Sequence, residues 1–197
     1  MLYRQNRCKK EKKNISMNIT NKAIKQLLWA GQASIGMFFA GLTSAYIVRK
    51  AEGNWLEFAI PDWFYYSTAT IIVSSALLFY AKRKIKQNIN PANFILATFL
   101  LGIIFTVFQI FGWNTLTSQG IFLTGEGSNA AGSFLYVLTL AHLIHLLAGL
   151  IALLYSSISS VKGKYNSENH LGLDLTSTYW HFLGLLWIYL FIFLKYV

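Results

Sequence analysis

The sequence predicts an all-α polytopic membrane protein, a bundle of five transmembrane helices. Three observations predict it. Of the 197 residues, 55% are hydrophobic and 12% charged, with a mean hydropathy of +0.45, whereas soluble domains are about 25% charged. Five long apolar runs hold no Asp, Glu, Lys or Arg, and each is long enough as a helix to cross the roughly 30 Å hydrocarbon layer. Eight of the 17 basic residues lie in the first 25 residues and the rest flank these runs, where they set topology. The net charge of +10 is therefore not a nucleic-acid face, since no basic stripe is interleaved with exposed aromatics.

Residues 1–25 are expected to form a disordered or surface-lying basic tail on the cytoplasmic side, with Lys9, Lys10, Lys12 and Lys13 clustered. No cleavable signal is evident in it. Residues 26–197 form the membrane domain, with spans at about 27–48, 63–81, 92–113, 133–158 and 176–194. Only helices satisfy their backbone groups within a single span.

The first span is small-sided: Gly36 and Ala40, and Gly41 and Ala45, form small-xxx-small pairs that permit close helix approach. That face packs either against another subunit or within this bundle. Gln32 in span one and Gln109 in span three are expected to donate interhelical hydrogen bonds. The loop between spans one and two contains Glu52, Trp55, Glu57, Pro61 and Asp62; Trp55, Trp63 and Trp113 sit at span ends as an interfacial belt. Thr124-Gly125-Glu126-Gly127 reads as loop, because a nucleotide-binding fingerprint needs a preceding strand. There is no internal repeat.

Fourteen of the 17 Lys and Arg fall on one side of this layout and three on the other. The positive-inside rule then gives a cytoplasmic N-terminus and an outside C-terminus.

Chemistry inside the spans rests on histidine. His142 and His145 stand three apart on one face of span four, and His181 follows Tyr179-Trp180 in span five. A metal or haem site shared by these spans is one reading. Hydrogen bonding to neighbouring helices or lipid headgroups is the other, favoured because no carboxylate or thiolate accompanies the imidazoles in the membrane. No metal site and no catalytic residue are expected in the chain. Cys8 is its only cysteine, which excludes a disulfide or a dicopper thiolate site. An independent proton pump or secondary transporter is disfavoured, because the spans hold no carboxylate relay and no Pro interrupts them. The polar group His142, His145, Trp180 and His181 is assigned to lipid or subunit contact.

From Met37 to the C-terminus the chain resembles subunit III of cytochrome c oxidase and related haem–copper oxidases, in its five-helix bacterial form. The resemblance rests on Met37-Phe38-Phe39-Ala40-Gly41; on Pro61 followed by Ser67-Thr68 and Ser74-Ser75; on Leu101-Gly102, Phe105-Thr106 and Gln109; on Gly132-Ser133, Thr139, His142 and His145; and on His170-Leu171-Gly172-Leu173 with Tyr179-Trp180-His181-Phe182 and Trp187. The chain departs from the family pattern at Ile35, Gly112 and Gly184, where the family has carboxylates, at Asp174, which replaces a glutamate, and at Ser159, where it has an arginine.

The resemblance implies an accessory subunit without redox centres, with the haems and coppers in partner subunits I and II. It implies phospholipid binding, support of sustained proton uptake, and a place in a hetero-oligomeric complex of the bacterial plasma membrane that reduces dioxygen to water and pumps protons. The same chemistry fits subunit III of a quinol oxidase, or a standalone helper of another respiratory enzyme such as a nitric oxide reductase.

Overall fold

A computed structural model of the chain describes residues 2–53, 55, 56, 58–87, 90–125, 128–163, 165 and 170–197, and for 2–16, Asn18 and Lys86 it describes the backbone alone. Five helices follow one another: α1 (Leu2–Ala51), α2 (Trp63–Lys86), α3 (Ala92–Ser118), α4 (Ala130–Val161) and α5 (Leu171–Tyr196). All five are long and apolar enough to cross a membrane, and the first does so over Ile19–Ala51. No strand occurs among the described residues.

Each helix outruns the span expected from its apolar run, by three or more residues at one or both ends. The largest difference is at the N-terminus, where α1 continues back to Leu2 through the stretch expected to be disordered or surface-lying. Residues 1–30 contain neither Gly nor Pro, so nothing in the chain stops a helix already nucleated in the span. Glu57, Glu126, Gly127 and Lys164, which entered the sequence reading, lie outside the described residues.

The helix ends follow from local chemistry. Asn129 caps α4, its side-chain oxygen accepting from the Ala131 amide at 2.9 Å. Asn90 does the same for the Ala92 amide at 3.0 Å, before Pro91 opens α3. It also accepts from the Ser160 hydroxyl at 3.1 Å, which fastens the α2–α3 turn to the end of α4. Gly120 and Gly163 follow α3 and α4 with φ of 79° and 65°, a conformation that side chains with a Cβ rarely adopt.

The helices α2 to α5 enclose one core, in which Phe64, Ile71, Phe105, Leu146, Trp180 and Trp187 are almost wholly buried. Helix α1 packs on α4 and α5 only. Its inward stripe of Gln32, Phe39, Thr43 and Tyr46 meets a second cluster that includes Leu138, Leu186, Leu190 and Phe193. Only 22% of its apolar window is buried, against 44% for α4 and α5. The fold is thus a four-helix core with a fifth helix laid on one side. Between α1 and α2 runs an open valley whose floor is α5.

The ends of the bundle differ. At one, Lys25 of α1 and Lys82 of α2 converge on Asp174 of α5, at 3.8 and 3.1 Å, and His170 approaches the same carboxylate at 3.7 Å. This is the lysine-rich end. At the other, the Lys50 ammonium donates to the terminal carbonyl of Val197, and Trp55 packs edge-on against Tyr46 with ring centres 4.7 Å apart.

Candidate functional site: a polar network inside the bundle

In water, interhelical hydroxyl bonds compete with solvent; inside a bilayer the alternative to a bond is a bare polar group, at a cost of several kcal/mol. Every pair of packed helices except α1 and α4 is joined by such a bond among the described residues. Gln109 Nε2 of α3 donates to Ser67 Oγ of α2 at 3.0 Å. The indole N–H groups of Trp180 and Trp187 donate from α5 to Ser74 Oγ and Thr68 Oγ1 of α2, at 3.0 and 2.9 Å. Trp113 of α3 donates to Thr139 Oγ1 of α4 at 3.0 Å. Ser156 of α4 and Thr176 of α5 share a bond of 2.9 Å. Thr43 and Tyr189 join α1 to α5 at 3.0 Å.

Trp180 stands at the centre of this network. It is fully buried, and its indole lies between Gly102 of α3 and Gly149 of α4. A Cβ on Gly102 would stand 2.7 Å from the indole and 2.6 Å from Leu150; one on Gly149 would stand 3.3 Å from the indole. The two glycines leave the space that the ring fills. One side chain thereby contacts α2, α3 and α4 from α5.

His142 and His145 meet around Phe39 of α1, whose ring centre lies 6.4 Å from the first imidazole and 5.7 Å from the second. His145 Nδ1 is 2.7 Å from the Ala141 carbonyl, one turn back, and so donates to it. The His145 carbonyl accepts from the Tyr179 hydroxyl at 3.1 Å. His142 is buried among Phe39, Phe105 and Trp187, and neither of its ring nitrogens has a hydrogen-bond partner among the described residues.

The four residues singled out from sequence therefore occupy three places. His142 and His145 lie together on the α1 side of α4. Trp180 is the hub between α2, α3 and α4. His181, half-buried, faces a groove of about 270 Å³ between α2 and α5, with Ser75 and Gly184 beside it. No group of three or more His, Cys, Asp or Glu suited to a metal occurs among the described residues.

Other expectations resolve individually. Gln109 is the interhelical donor expected of it, whereas both polar atoms of Gln32 are buried without a partner among the described residues. Trp113, expected near a span end, donates across the α3–α4 contact. Gly36, Gly41, Ala40 and Ala45 lie away from the packed stripe of α1: nothing stands within 4 Å of a Cβ built on either glycine, and Ala40, Gly41 and Ala45 are exposed. Of the two readings of this face, packing within the bundle is not what the fold shows. Sequence reasoning passed over the hydroxyl partners Ser156 and Thr176; their only signal was their placement on inward-facing positions of apolar helices.

Comparison with known proteins matches residues 58–197 to the family model described as cytochrome c oxidase subunit III. The chain is 31% identical over 191 residues to a probable cytochrome c oxidase subunit 3 of Nocardia farcinica, covering 89% of this chain and 88% of that protein. It is also 31% identical to a probable cytochrome c oxidase subunit 3 of Mycobacterium tuberculosis, covering 79% and 78%, and 28% identical to cytochrome c oxidase subunit 3 of Thermostichus vulcanus, covering 80% and 79%. A five-helix membrane bundle matched over all of its four-helix core places the chain in the cytochrome c oxidase subunit III family.

Proposed function

We propose that this accessory subunit of a haem–copper oxidase serves a cytochrome c oxidase of the bacterial plasma membrane, and that it does so as a scaffold without catalytic residues of its own. The observation that supports the scaffold role is the use of the polar side chains. Each of the indole, hydroxyl and amide bonds named in the network ties one helix to another. A bundle braced in this way holds its shape in lipid.

In this reading subunits I and II hold the haems and coppers, reduce dioxygen to water and pump protons. The present chain flanks them, with its lysine-rich end cytoplasmic, and supports sustained proton uptake. Trp180, His142 and His145 act from within, as supports of the bundle. Contact with other subunits falls to His181 and to the open small-residue face of α1 at Gly36, Ala40, Gly41 and Ala45. Phospholipid is part of the same reading. At the far end Lys50, Trp55, Lys195 and Tyr196 line a groove of about 250 Å³ whose amine and aromatic groups suit a headgroup.

The test is removal of the chain from the assembled oxidase. The expected result is an enzyme with unchanged haem absorbance and initial rate that loses activity progressively during turnover. Loss of the haem signal on removal, with the other subunits intact, contradicts the scaffold role.

A further inference from the structure

We infer that the valley between α2 and α5 seats a transmembrane helix of a partner subunit, which presents a neutral hydrogen-bonding side chain to His181 and Ser75. The inference rests on the reading of this chain as one subunit of a membrane complex.

On α5 the positions Asp174, Thr178, His181, Leu185 and Ile188 recur every three or four residues and fall on one face. The first two line the lysine-rich mouth of the valley, and the last three line its middle, with Ile72 and Ser75 of α2 opposite. Helix α1 makes no packing contact with α2, so the valley stays open along this face.

The middle of the valley is apolar except for two groups. Neither the His181 imidazole nor the Ser75 hydroxyl has a hydrogen-bond partner among the described residues. Gly184 keeps the hydroxyl in the valley, since a Cβ there would stand 3.2 Å from Ser75 Oγ. His181 is seven residues beyond Asp174, about 10 Å deeper along the helix. An acyl chain at that depth has nothing to donate or accept, and the ester and phosphate groups of a lipid stay near the mouth. Both polar groups would then remain bare in hydrocarbon. A transmembrane helix supplies a side chain at that level. A neutral carboxamide, hydroxyl or protonated carboxyl can bond both groups, whereas a charge at that depth is penalised. The mouth suits the same occupant. Two ammonium groups, Lys25 and Lys82, share the single Asp174 carboxylate, which leaves positive charge for an acidic residue or a carboxyl end of the partner helix.

The test uses the intact complex in native membranes. A photo-crosslinking benzoylphenylalanine replaces Leu185, which is 68% exposed on the rim and so leaves the core undisturbed. The expected adduct joins the benzoylphenylalanine at position 185 to a transmembrane peptide of a different subunit. In parallel, His181→Leu combined with Ser75→Ala is expected to lower the fraction of chain recovered with partners at least fivefold, at unchanged membrane abundance, and His181→Gln to retain it. Adducts with lipid or quinone alone, adducts with a second copy of this chain, or full retention by the double variant overturn the inference. An adduct with a polytopic chain, from a complex that contains no haem–copper subunit, supports the valley assignment and contradicts the oxidase reading.

Discussion

At the scale of single residues, Trp180 decides most. Its indole fills the space between two glycines and spends its one donor on Ser74. Replacement by Phe removes the bond and part of the volume, so Trp180→Phe is expected to destabilise the bundle by about 2–4 kcal/mol, read as a lowered thermal midpoint in mild detergent. The complementary change, Gly102→Ala, drives a methyl group toward Leu150 and the indole. It is expected to cost about 1–3 kcal/mol by overpacking. Gly41→Ala is the control: with nothing within 4 Å, it leaves the midpoint unchanged. His142 is a different case. It makes no hydrogen bond among the described residues, so His142→Leu is expected to alter stability by no more than about 1 kcal/mol. A large loss would reveal a partner bonded to the imidazole. The Tyr-Trp-His-Phe run was legible as something other than an anchor helix. Its division was not: consecutive residues on a helix point about 100° apart, so Trp180 turns inward while His181 turns to the valley.

At the scale of the element, α1 stands apart. Its hold on the bundle, among the described residues, includes the inward stripe with Phe39 and Tyr46, the Thr43–Tyr189 bond, the Lys25–Asp174 pair and the Lys50 bond to the Val197 carbonyl. Tyr189→Phe removes that hydroxyl bond, worth about 1 kcal/mol. Hydrogen exchange at the amides of residues 39–46 is expected to quicken while the amides of α2 to α5 keep their rates. Equal acceleration throughout would mean that α1 is part of the core rather than laid upon it. Five spans were readable from uncharged apolar runs, because lipid enforces that pattern. The extension of α1 to Leu2 was not, since polar residues that permit a helix also permit a tail. The small face of α1 was legible as a packing surface, but periodicity alone could not say which side of the helix the bundle would take.

For the whole molecule, the fold is a bundle stabilised by hydroxyl, indole and amide bonds rather than by ion pairs within the membrane, with charges kept to its ends. The carboxylates that the family pattern places at Ile35, Gly112 and Gly184 are absent, and Gly112 and Gly184 instead permit close contacts, with Phe64 and Ser75. A chain built this way is suited to bracing a complex, and its open surfaces are the valley on α5 and the small face of α1. On that basis Gly41→Leu is expected to leave the chain's own melting unchanged while lowering the yield of intact complex. The most direct test of the account is to purify the tagged chain from its native membrane and record a reduced-minus-oxidised spectrum, with mass identification of the chains that accompany it. The account predicts haem absorbance from a haem–copper subunit I and a dicopper-bearing subunit II. Recovery of the intact chain with other membrane proteins and without any haem–copper subunit would contradict it.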